Sequence, residues 1–213
     1  MDANLAKKAP VPVTYDVLKE QYKTYSSPKD KIARLAIGGE LIRLKKGLFL
    51  PAPMDGEAGC PRELAANVIR GPSYVSLQTA LAFYGMIPER VFAIRSMTLK
   101  RGKIYQTPIG RYEYITAKQD YFSIGIRSAS ANGVYFLIAS PEKAVCDMIV
   151  VTAGLRIQSG KAMREYIEED MRIDISVIEP VDLSVFDRVM ETGIKKREIR
   201  LLKEYCINAE QSF

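Results

Sequence analysis

The chain contains no histidine among its 213 residues. Histidine is the usual general base near neutral pH and the commonest metal ligand in proteins. Its absence excludes Ser-His-Asp and Cys-His catalysis, and it excludes zinc held by imidazole. Chemistry that depends on carboxylates and a metal ion is not excluded by this observation.

Cysteine is also scarce, since Cys60, Cys146 and Cys206 are the only three. No Cys-x-x-Cys pair exists, so neither a zinc knuckle nor a thioredoxin-type motif is available. An odd number of widely spaced thiols favours a reducing compartment. No apolar run approaches the ~18 residues that a membrane span requires, and residues 1–12 contain no apolar signal core. We therefore expect a soluble, cytoplasmic protein.

Glycine motifs for nucleotide binding are missing, because neither Gly-x-x-x-x-Gly-Lys-Ser/Thr nor Gly-x-Gly-x-x-Gly occurs. The acidic run at 168–170, with Asp174 after it, is a candidate metal site. Adjacent carboxylates on a helix diverge by about 100° and cannot all reach one ion. The run is therefore interpreted as a solvated face. The sequence predicts no enzyme activity, no cofactor and no bound metal.

Positive charge is concentrated in the first quarter of the chain. Residues 1–50 contain ten basic and five acidic residues, which gives a net charge of +5. Residues 51–213 contain 21 basic and 20 acidic residues, which gives a net charge of +1. A basic local field attracts the phosphates of nucleic acids, and it equally attracts anionic lipid or an acidic protein. Charge alone leaves these partners open.

The pattern of the first 53 residues predicts a winged helix-turn-helix domain. Ser27 is suited to cap the second of two short helices, Pro28 suits its first turn, and the pair Gly38-Gly39 ends it. Two short helices, a tight connection and a lysine-rich hairpin in this order are typical of this DNA-binding fold. The predicted helices cover residues 14–22 and 28–37, and the predicted strands cover residues 40–44 and 48–50.

The second helix is predicted to enter the major groove of DNA. Its apolar residues Ile32, Leu35 and Ala36 recur at helical spacing and form an inward stripe. The opposite face carries three residues that can donate hydrogen bonds to bases or phosphates, and Lys29 lies at its flank. It also carries Asp30, which would repel a phosphate unless it pairs with a cation or accepts from a cytosine amine. The candidate DNA contacts on this helix are Ser27, Lys29, Lys31 and Arg34.

The hairpin supplies the other candidate DNA contacts. Ile42 and Leu44 are expected to face the helices, which turns Arg43 and Lys45 away from them, and Lys46 lies at the tip. Such a wing suits contacts to the DNA backbone or minor groove. With about 5 phosphates contacted, the logarithm of the binding constant should fall with the logarithm of salt concentration at a slope of roughly −4 to −5.

The rest of the chain predicts a larger domain beyond a linker. Residues 51–59 are rich in proline and glycine, so domain boundaries are placed at 1–53 and 60–213. The fold class is α+β, with an N-terminal winged helix-turn-helix followed by a larger domain with a mostly antiparallel sheet and flanking helices. Helices are predicted at 62–69, 76–84, 140–152, 159–171 and 183–206, the last with a break at Gly193. About five strands are predicted, in 91–99, 104–107, 111–116, 121–128 and 134–138.

Three blocks of the sequence resemble a known family. Residues 39–49 are GELIRLKKGLF, residues 71–77 are GPSYVSL, and residues 139–147 are ASPEKAVCD. In this order, within roughly residues 14–152, they resemble the AbiEi-type antitoxins of type IV toxin–antitoxin (abortive-infection) systems. The resemblance implies a DNA-binding repressor of its own operon. It also implies that the larger domain counters a nucleotidyltransferase-like toxin, with or without direct contact.

The same blocks also have structural explanations. Tyr74, Leu77, Leu81 and Tyr84 recur at helical spacing and are expected in the core. Lys143 and Asp147 lie at positions i and i+4 of a helix and are expected to pair. The basic run at 195–197 gives the last helix a charged face that is interpreted as solvated.

Two other functions stay open at this point. The first is a winged-helix transcription regulator with a ligand-sensing larger domain, which would show an apolar pocket large enough for a small molecule. The second is a carboxylate–metal nuclease targeted by the winged helix. The nuclease requires carboxylates that converge beside a lysine, and the sequence shows no such spacing.

Overall fold

The structure is a computed structural model that describes residues 10–54, 59–178 and 180–210. Within these residues the chain is a mixed α+β protein with two separate β-sheets. The centre of the predicted linker, at 55–58, lies outside the described residues. The first nine residues of the first predicted domain and the last three of the second also lie outside them.

Two helices and three short strands form the first part of the fold, here called the small unit (residues 13–51). Its elements are β1 (Val13–Thr14), α1 (Tyr15–Gln21), α2 (Pro28–Ile37), β2 (Leu41–Lys45) and β3 (Leu48–Pro51). The strands pair antiparallel in the order β1-β3-β2. The helices and the hairpin occur close to their predicted positions. The sequence did not indicate β1, because two residues are too few to show a period.

Apolar residues of both helices pack on one face of the small sheet. Ile32 and Leu35 of α2 are buried, as their spacing predicts, and Ala36 is partly buried beside them. Burial of one such aliphatic side chain contributes roughly 1.5–3 kcal/mol, so a few contacts hold these short helices on the sheet. The rest of this buried cluster is Leu18, Leu41 and Phe49.

The larger unit (residues 59–210) is built around a six-stranded sheet. Its strands are β4 (Ser73–Val75), β5 (Ala93–Thr98), β6 (Lys103–Thr107), β7 (Gly110–Thr116), β8 (Ile126–Ala131) and β9 (Val134–Ala139). Their order across the sheet is β6-β7-β5-β4-β9-β8. The β5–β7 and β4–β9 pairs are parallel and the other three pairs are antiparallel, so the sheet is mostly antiparallel as predicted.

Helices pack against this sheet and against one another. Within the described residues they are α3 (Arg62–Ile69), α4 (Leu77–Phe83), α5 (Gln119–Phe122), α6 (Pro141–Val151), α7 (Gly160–Glu165), α8 (Leu183–Glu191) and α9 (Lys196–Glu210). A π-helical segment, Tyr166–Asp170, continues from α7. The predicted break at Gly193 separates α8 from α9, and this glycine adopts a φ of +74°.

Two parts of the larger sheet differ from the sequence prediction. A turn and a helix start were expected where β4 lies, because all three residues of β4 are buried and show no alternation. The alternating segment 121–128 is not one strand, since α5 ends at Phe122 and β8 begins at Ile126. Gly125, with a φ of +61°, lies in the turn between them.

The hairpin of the small unit is covered on both faces. Leu44, Leu48 and Leu50 belong to the same hydrophobic cluster as Ile69 and Tyr74 of the larger unit. Strand β2 also contacts β6. The small sheet therefore lies between its own helices and the larger unit.

Candidate nucleic-acid interface

The N-terminal end of α2 is fixed by its own sequence. Ser27 has an extended backbone, and its Oγ accepts a hydrogen bond from the backbone N–H of Asp30 at 3.4 Å. Pro28 occupies the first turn, where a backbone N–H would have no intrahelical partner. Ser27 is therefore a helix cap. The Ser27 hydroxyl proton can still be donated to a phosphate, because the capping bond uses only the oxygen as an acceptor.

The cations of α2 differ in how they are held. Lys29 and Arg34 are exposed, and Arg34 Nε donates to the backbone carbonyl of Asp30 at 3.4 Å. Lys31 is half-buried, with its Nζ 5.4 Å from the centroid of the Tyr25 ring. Such cation–π contacts contribute about 0.5–1 kcal/mol at exposed sites. Helix α2 thus presents Lys29 and Arg34 to solvent and holds Lys31 beside an aromatic ring.

Two tyrosines stabilise the connection between α1 and α2. The rings of Tyr22 and Tyr25 meet edge to face, with 5.8 Å between their centroids. Burial raises the pKa of Tyr22, and the neighbouring Tyr25 and Glu40 raise this pKa further. Tyr22 therefore keeps its phenolic proton at neutral pH and adds no negative charge beside the cations of α2.

The hairpin presents Arg43 differently from the sequence prediction. Leu41 and Phe49 face the helices, whereas Ile42 and Leu44 pack with the core of the larger unit. Arg43 is opposite Phe49 across the sheet, so it lies on the helix side, where it is exposed. The prediction that Ile42 and Leu44 face the helices and turn Arg43 away is therefore wrong. The alternation of apolar and polar residues could not show which face of the hairpin lies against the helices, because both faces are covered and both carry apolar residues.

Lys45 and Lys46 have different surroundings at the hairpin turn. The strand register shifts between Arg43 and Lys45. Lys45 turns away from the helices as predicted, but it is half-buried and its Nζ donates to the backbone carbonyl oxygen of Ile69. The prediction that Lys45 is presented to DNA is therefore wrong, because its ammonium group is already bound to a carbonyl oxygen within the protein. Lys46 is exposed at the tip, as predicted.

Helix α2 and the hairpin pack against each other within the small unit. The chain reverses within the three residues between α2 and β2, and these two elements are in contact. The hairpin turn, at residues 46 and 47, joins β2 to β3. In this turn the carbonyl of Gly47 accepts a hydrogen bond from the first residue of α1 at 2.9 Å. Arg43 lies on the helix side of the sheet, and Lys46 lies in the turn that is bonded to the start of α1.

Few carboxylates offset this positive charge. Residues 10–54 contain eight lysines and arginines and four carboxylates, a net charge of +4. Glu20 is paired with Lys23 at 2.5 Å. None of the seven predicted DNA contacts forms an ion pair with a carboxylate of the described residues. The field of these cations is therefore available to an external anion.

A separate polar cluster lies inside the larger unit, around the carboxylate of Asp147. This carboxylate accepts hydrogen bonds from Ser76 Oγ at 2.5 Å, from the Tyr121 hydroxyl at 2.5 Å and from the Tyr74 hydroxyl at 3.4 Å. Lys143 Nζ lies 3.3 Å from it and donates to the Tyr121 carbonyl at 3.2 Å. We call these five residues the Asp147 cluster.

Every member of the Asp147 cluster is 0% exposed. Burial lowers the pKa of Lys143, and the Asp147 carboxylate acts in the opposite direction. Burial and the same carboxylate raise the pKa values of Tyr74 and Tyr121 well above their usual range. The expected pairing of Lys143 with Asp147 is confirmed, but it occurs in the core. The cluster is closed to solvent and joins β4, α5 and α6 in the core.

Sequence reasoning missed the rest of the Asp147 cluster. The available signal was a lysine and an aspartate one turn apart in α6, a helix in which every residue from Pro141 to Ile149 is buried. Charged residues are almost never fully buried unless they are paired, so both positions required polar partners from elsewhere in the chain.

A surface cleft of about 520 Å³ lies in the larger unit. This volume is within the range of roughly 300–1,000 Å³ that is usual for small-molecule sites. The acidic run at 168–170 is exposed, as predicted, and the described residues contain no group of three potential histidine, cysteine or carboxylate metal ligands. The cleft is lined in part by Arg164, Glu168, Arg172, Ile173, Ile175 and Tyr205.

Comparisons with known proteins provide no family for this chain. Neither a scan against known protein families nor a search of curated proteins gives a match. Among the described residues, no helix is both long enough and apolar enough to cross a membrane. The function must therefore be inferred from the residues of the chain and their geometry.

Proposed function

We propose that the protein is a DNA-binding transcription regulator whose first 53 residues form a winged helix-turn-helix. The order β1, α1, α2, β2, β3, with all three strands in one sheet, supports this assignment. In this proposal α2 is the recognition helix and the hairpin is the wing. With 10 residues, α2 is about 15 Å long, and the major groove, about 12 Å wide, admits an α-helix.

The exposed cations of α2 and the wing are the observation that carries this proposal. Lys29 and Arg34 on α2 and Arg43 and Lys46 on the wing are exposed, and no described carboxylate is paired with them. Arg34 is the best candidate for reading a base, because a guanidinium can donate two parallel hydrogen bonds to guanine. The other three cations contact phosphates, which position the protein without reading sequence.

Lys45 and Ser27 have supporting roles in this proposal. Lys45 anchors the wing to the larger unit through the Ile69 carbonyl, and Ser27 caps the recognition helix. Both interactions limit how far the helix and wing can move before DNA binds. A pre-ordered surface loses less conformational entropy on binding than a mobile one.

We further propose that the protein is the antitoxin and autorepressor of a type IV toxin–antitoxin operon, as its resemblance to AbiEi-type antitoxins implies. In this role it counters a nucleotidyltransferase-like toxin, with or without direct contact. Two of the resembling blocks also meet in the core of the larger unit. Ser76 of the second block donates a hydrogen bond to Asp147 of the third at 2.5 Å, across 71 positions of the chain.

The DNA-binding proposal is tested with a fluorescent duplex taken from the region upstream of the gene for this protein. A random duplex of equal length is the control. We expect the upstream duplex to bind at least 10³-fold more tightly than the random one at physiological salt, as specific regulators typically do. Equal affinities for the two duplexes would reject specific regulation.

The antitoxin proposal requires a separate experiment in cells. The adjacent gene should encode a nucleotidyltransferase-like protein whose expression stops growth, and co-expression of this chain should restore growth. An Arg34→Ala variant, expressed from an unrelated promoter, is the control. Because its DNA binding is weakened, any rescue of growth by this variant cannot come from repression of the toxin gene. If neither the wild-type chain nor its Arg34→Ala variant restores growth, the antitoxin role is rejected even if DNA binding is confirmed.

A second candidate is a winged-helix regulator that senses a small molecule in its larger unit. The cleft of about 520 Å³ favours this candidate because its size suits a ligand. A thermal-shift screen of small molecules, repeated with Arg172→Ala in the cleft, tests it. A ligand that raises the Tm of the wild type only and changes its DNA affinity would favour the sensor over the antitoxin.

A further inference from the structure

A basic turn of the larger unit lies outside the surface considered so far. The turn between β5 and β6, with the start of β6, carries Lys100, Arg101 and Lys103, and all three are exposed. No carboxylate in the described part of the chain forms an ion pair with any of them. We call residues 100–103 the basic turn.

Arg70 places the basic turn beside the wing. The carbonyl of Ile69 accepts the hydrogen bond from Lys45 of the wing, and Arg70 is the next residue in the chain. The Arg70 guanidinium donates to the backbone carbonyl of Arg101 and, at 3.3 Å, to the hydroxyl of Tyr105. Consecutive Cα atoms are only ~3.8 Å apart. The wing and the basic turn are therefore bound to neighbouring residues at the end of α3.

Hydrogen bonds hold the basic turn in a defined shape. Thr116 Oγ1 accepts from the backbone N–H of Gly102 at 2.9 Å and donates to the carbonyl of Lys100 at 3.1 Å. Thr98 Oγ1 accepts from the backbone N–H of Lys100 at 3.3 Å. A Cβ at Gly102 would lie 2.9 Å from the carbonyl oxygen of Tyr114, so glycine permits a close approach to β7. The cations are thus presented from a rigid part of the fold.

This accumulation of positive charge favours an anionic partner. Arg70 lies against the basic turn, and Lys103 Nζ is 4.9 Å from the centroid of the Tyr105 ring instead of beside a carboxylate. Like charges repel in the unbound protein. A row of phosphates would remove this repulsion, and DNA supplies phosphates at regular spacing.

We infer that the basic turn is a second contact to the DNA backbone, which continues the binding surface from the wing along the same duplex. This inference rests on the proposed function, because α2 and the wing must first hold the duplex. Lys100 and Arg101 then neutralise phosphates beyond those that Lys46 reaches. The contact adds affinity for every sequence alike, because phosphates carry no sequence information.

A double substitution, Lys100→Gln with Arg101→Gln, tests this inference. Its matched control is Lys196→Gln with Arg200→Gln, which removes the same charge from exposed positions of α9, a helix that packs on α6, α7 and α8. Dissociation constants are measured for the upstream and random duplexes between 50 and 200 mM salt. Loss of two phosphate contacts should make the slope of log K against log salt shallower by about 2 and weaken binding about 30-fold at 0.15 M salt.

The outcomes separate this inference from the proposed function. The Lys100/Arg101 variant could show the same salt slope as the wild type while Arg34→Ala weakens binding. This result would overturn the basic-turn contact but not DNA binding by the winged helix. An equal loss in the α9 control would assign the effect to net charge and also overturn the contact. Failure of the wild type to bind either duplex would overturn both. Lys103→Gln provides an independent readout. Its slope of log K against log salt should be shallower than the wild-type slope by about 1.

Discussion

The ammonium group of Lys45 in the hairpin donates a hydrogen bond to the backbone carbonyl oxygen of Ile69 at the end of α3. Its neighbour Lys46 is exposed at the hairpin turn. Two adjacent lysines therefore have different roles in the proposed wing. Lys45 fixes the wing to the larger unit, and Lys46 is available to a phosphate.

Single substitutions should separate these two roles. Lys45→Met should lower the free energy of unfolding by about 1 kcal/mol, because a half-buried hydrogen bond is lost, and should change the salt dependence of DNA binding little. Lys46→Met should leave stability within about 0.5 kcal/mol and make the salt slope shallower by about 1. Urea unfolding and anisotropy titrations measure both quantities. The reverse pattern would contradict the assignment.

Arg34→Ala should weaken binding to the upstream duplex by about 1–3 kcal/mol and relax its sequence preference, because a base contact is lost. Lys29→Ala is the matched control on the same helix. It should weaken the upstream and random duplexes by the same factor, since a phosphate contact is blind to sequence. Gel-shift titrations at fixed salt distinguish the two. Unchanged affinity in Arg34→Ala would count against α2 as the recognition helix.

Asp147→Asn should destabilise the protein by about 3–5 kcal/mol, because Lys143 would be left as a buried cation without its counter-charge. Adding Lys143→Met to Asp147→Asn should recover part of this loss, since no unpaired charge then remains in the core. Urea unfolding of the two variants provides the comparison. A double variant that is less stable than Asp147→Asn would show that the buried pair is not the source of the loss.

Stability should decrease as the pH rises above 10. Burial raises the pKa of Tyr112 from 10.0 to about 12. Since the folded-state pKa is the higher one, the stabilisation is complete below pH 10 and is lost between pH 10 and about 12. The free energy of unfolding should then fall by about 1.4 kcal/mol per pH unit for this one tyrosine.

Tyr112→Phe isolates this effect, because phenylalanine preserves the ring but does not titrate. The variant should show a shallower loss of stability above pH 10 in urea titrations followed by circular dichroism. Lys143 acts in the opposite direction, since its lowered folded-state pKa relieves a penalty as the pH rises toward 10.5. The same pH dependence in Tyr112→Phe and in the wild type would exclude Tyr112 as the group responsible.

Local signals in the sequence were sufficient to predict the position of helix α2 and the exposure of the tip of the wing. Ser27 and Gly38 act at the ends of α2 within a few positions of their hydrogen-bond partners, and Pro28 acts through its own backbone in the first turn. The exposure of Lys46 follows from its position in the turn of the β2–β3 hairpin. Features of this kind depend on neighbours in the chain, so a single sequence contains the information needed to predict them.

Features that depend on distant residues could not be predicted in the same way. The side of the hairpin that faces the helices is set by the larger unit, which covers Leu44 and binds Lys45 through Ile69. The partners of Asp147 include Ser76, which lies 71 positions away. A charged pair one helical turn apart indicates an i,i+4 contact, but it does not show whether the contact is exposed or buried.

The salt dependence of DNA binding by the wild-type protein tests the central claim most directly. Dissociation constants for the upstream duplex between 50 and 200 mM salt should give a linear plot of log K against log salt with a slope of about −3 from the three phosphate contacts of α2 and the wing, and of about −4 to −5 when the two contacts of the basic turn are added. The upstream duplex should bind more tightly than a random duplex at every salt concentration. A slope shallower than about −1, or no measurable binding, would contradict the claim that the cations of α2 and the wing form a DNA-binding surface.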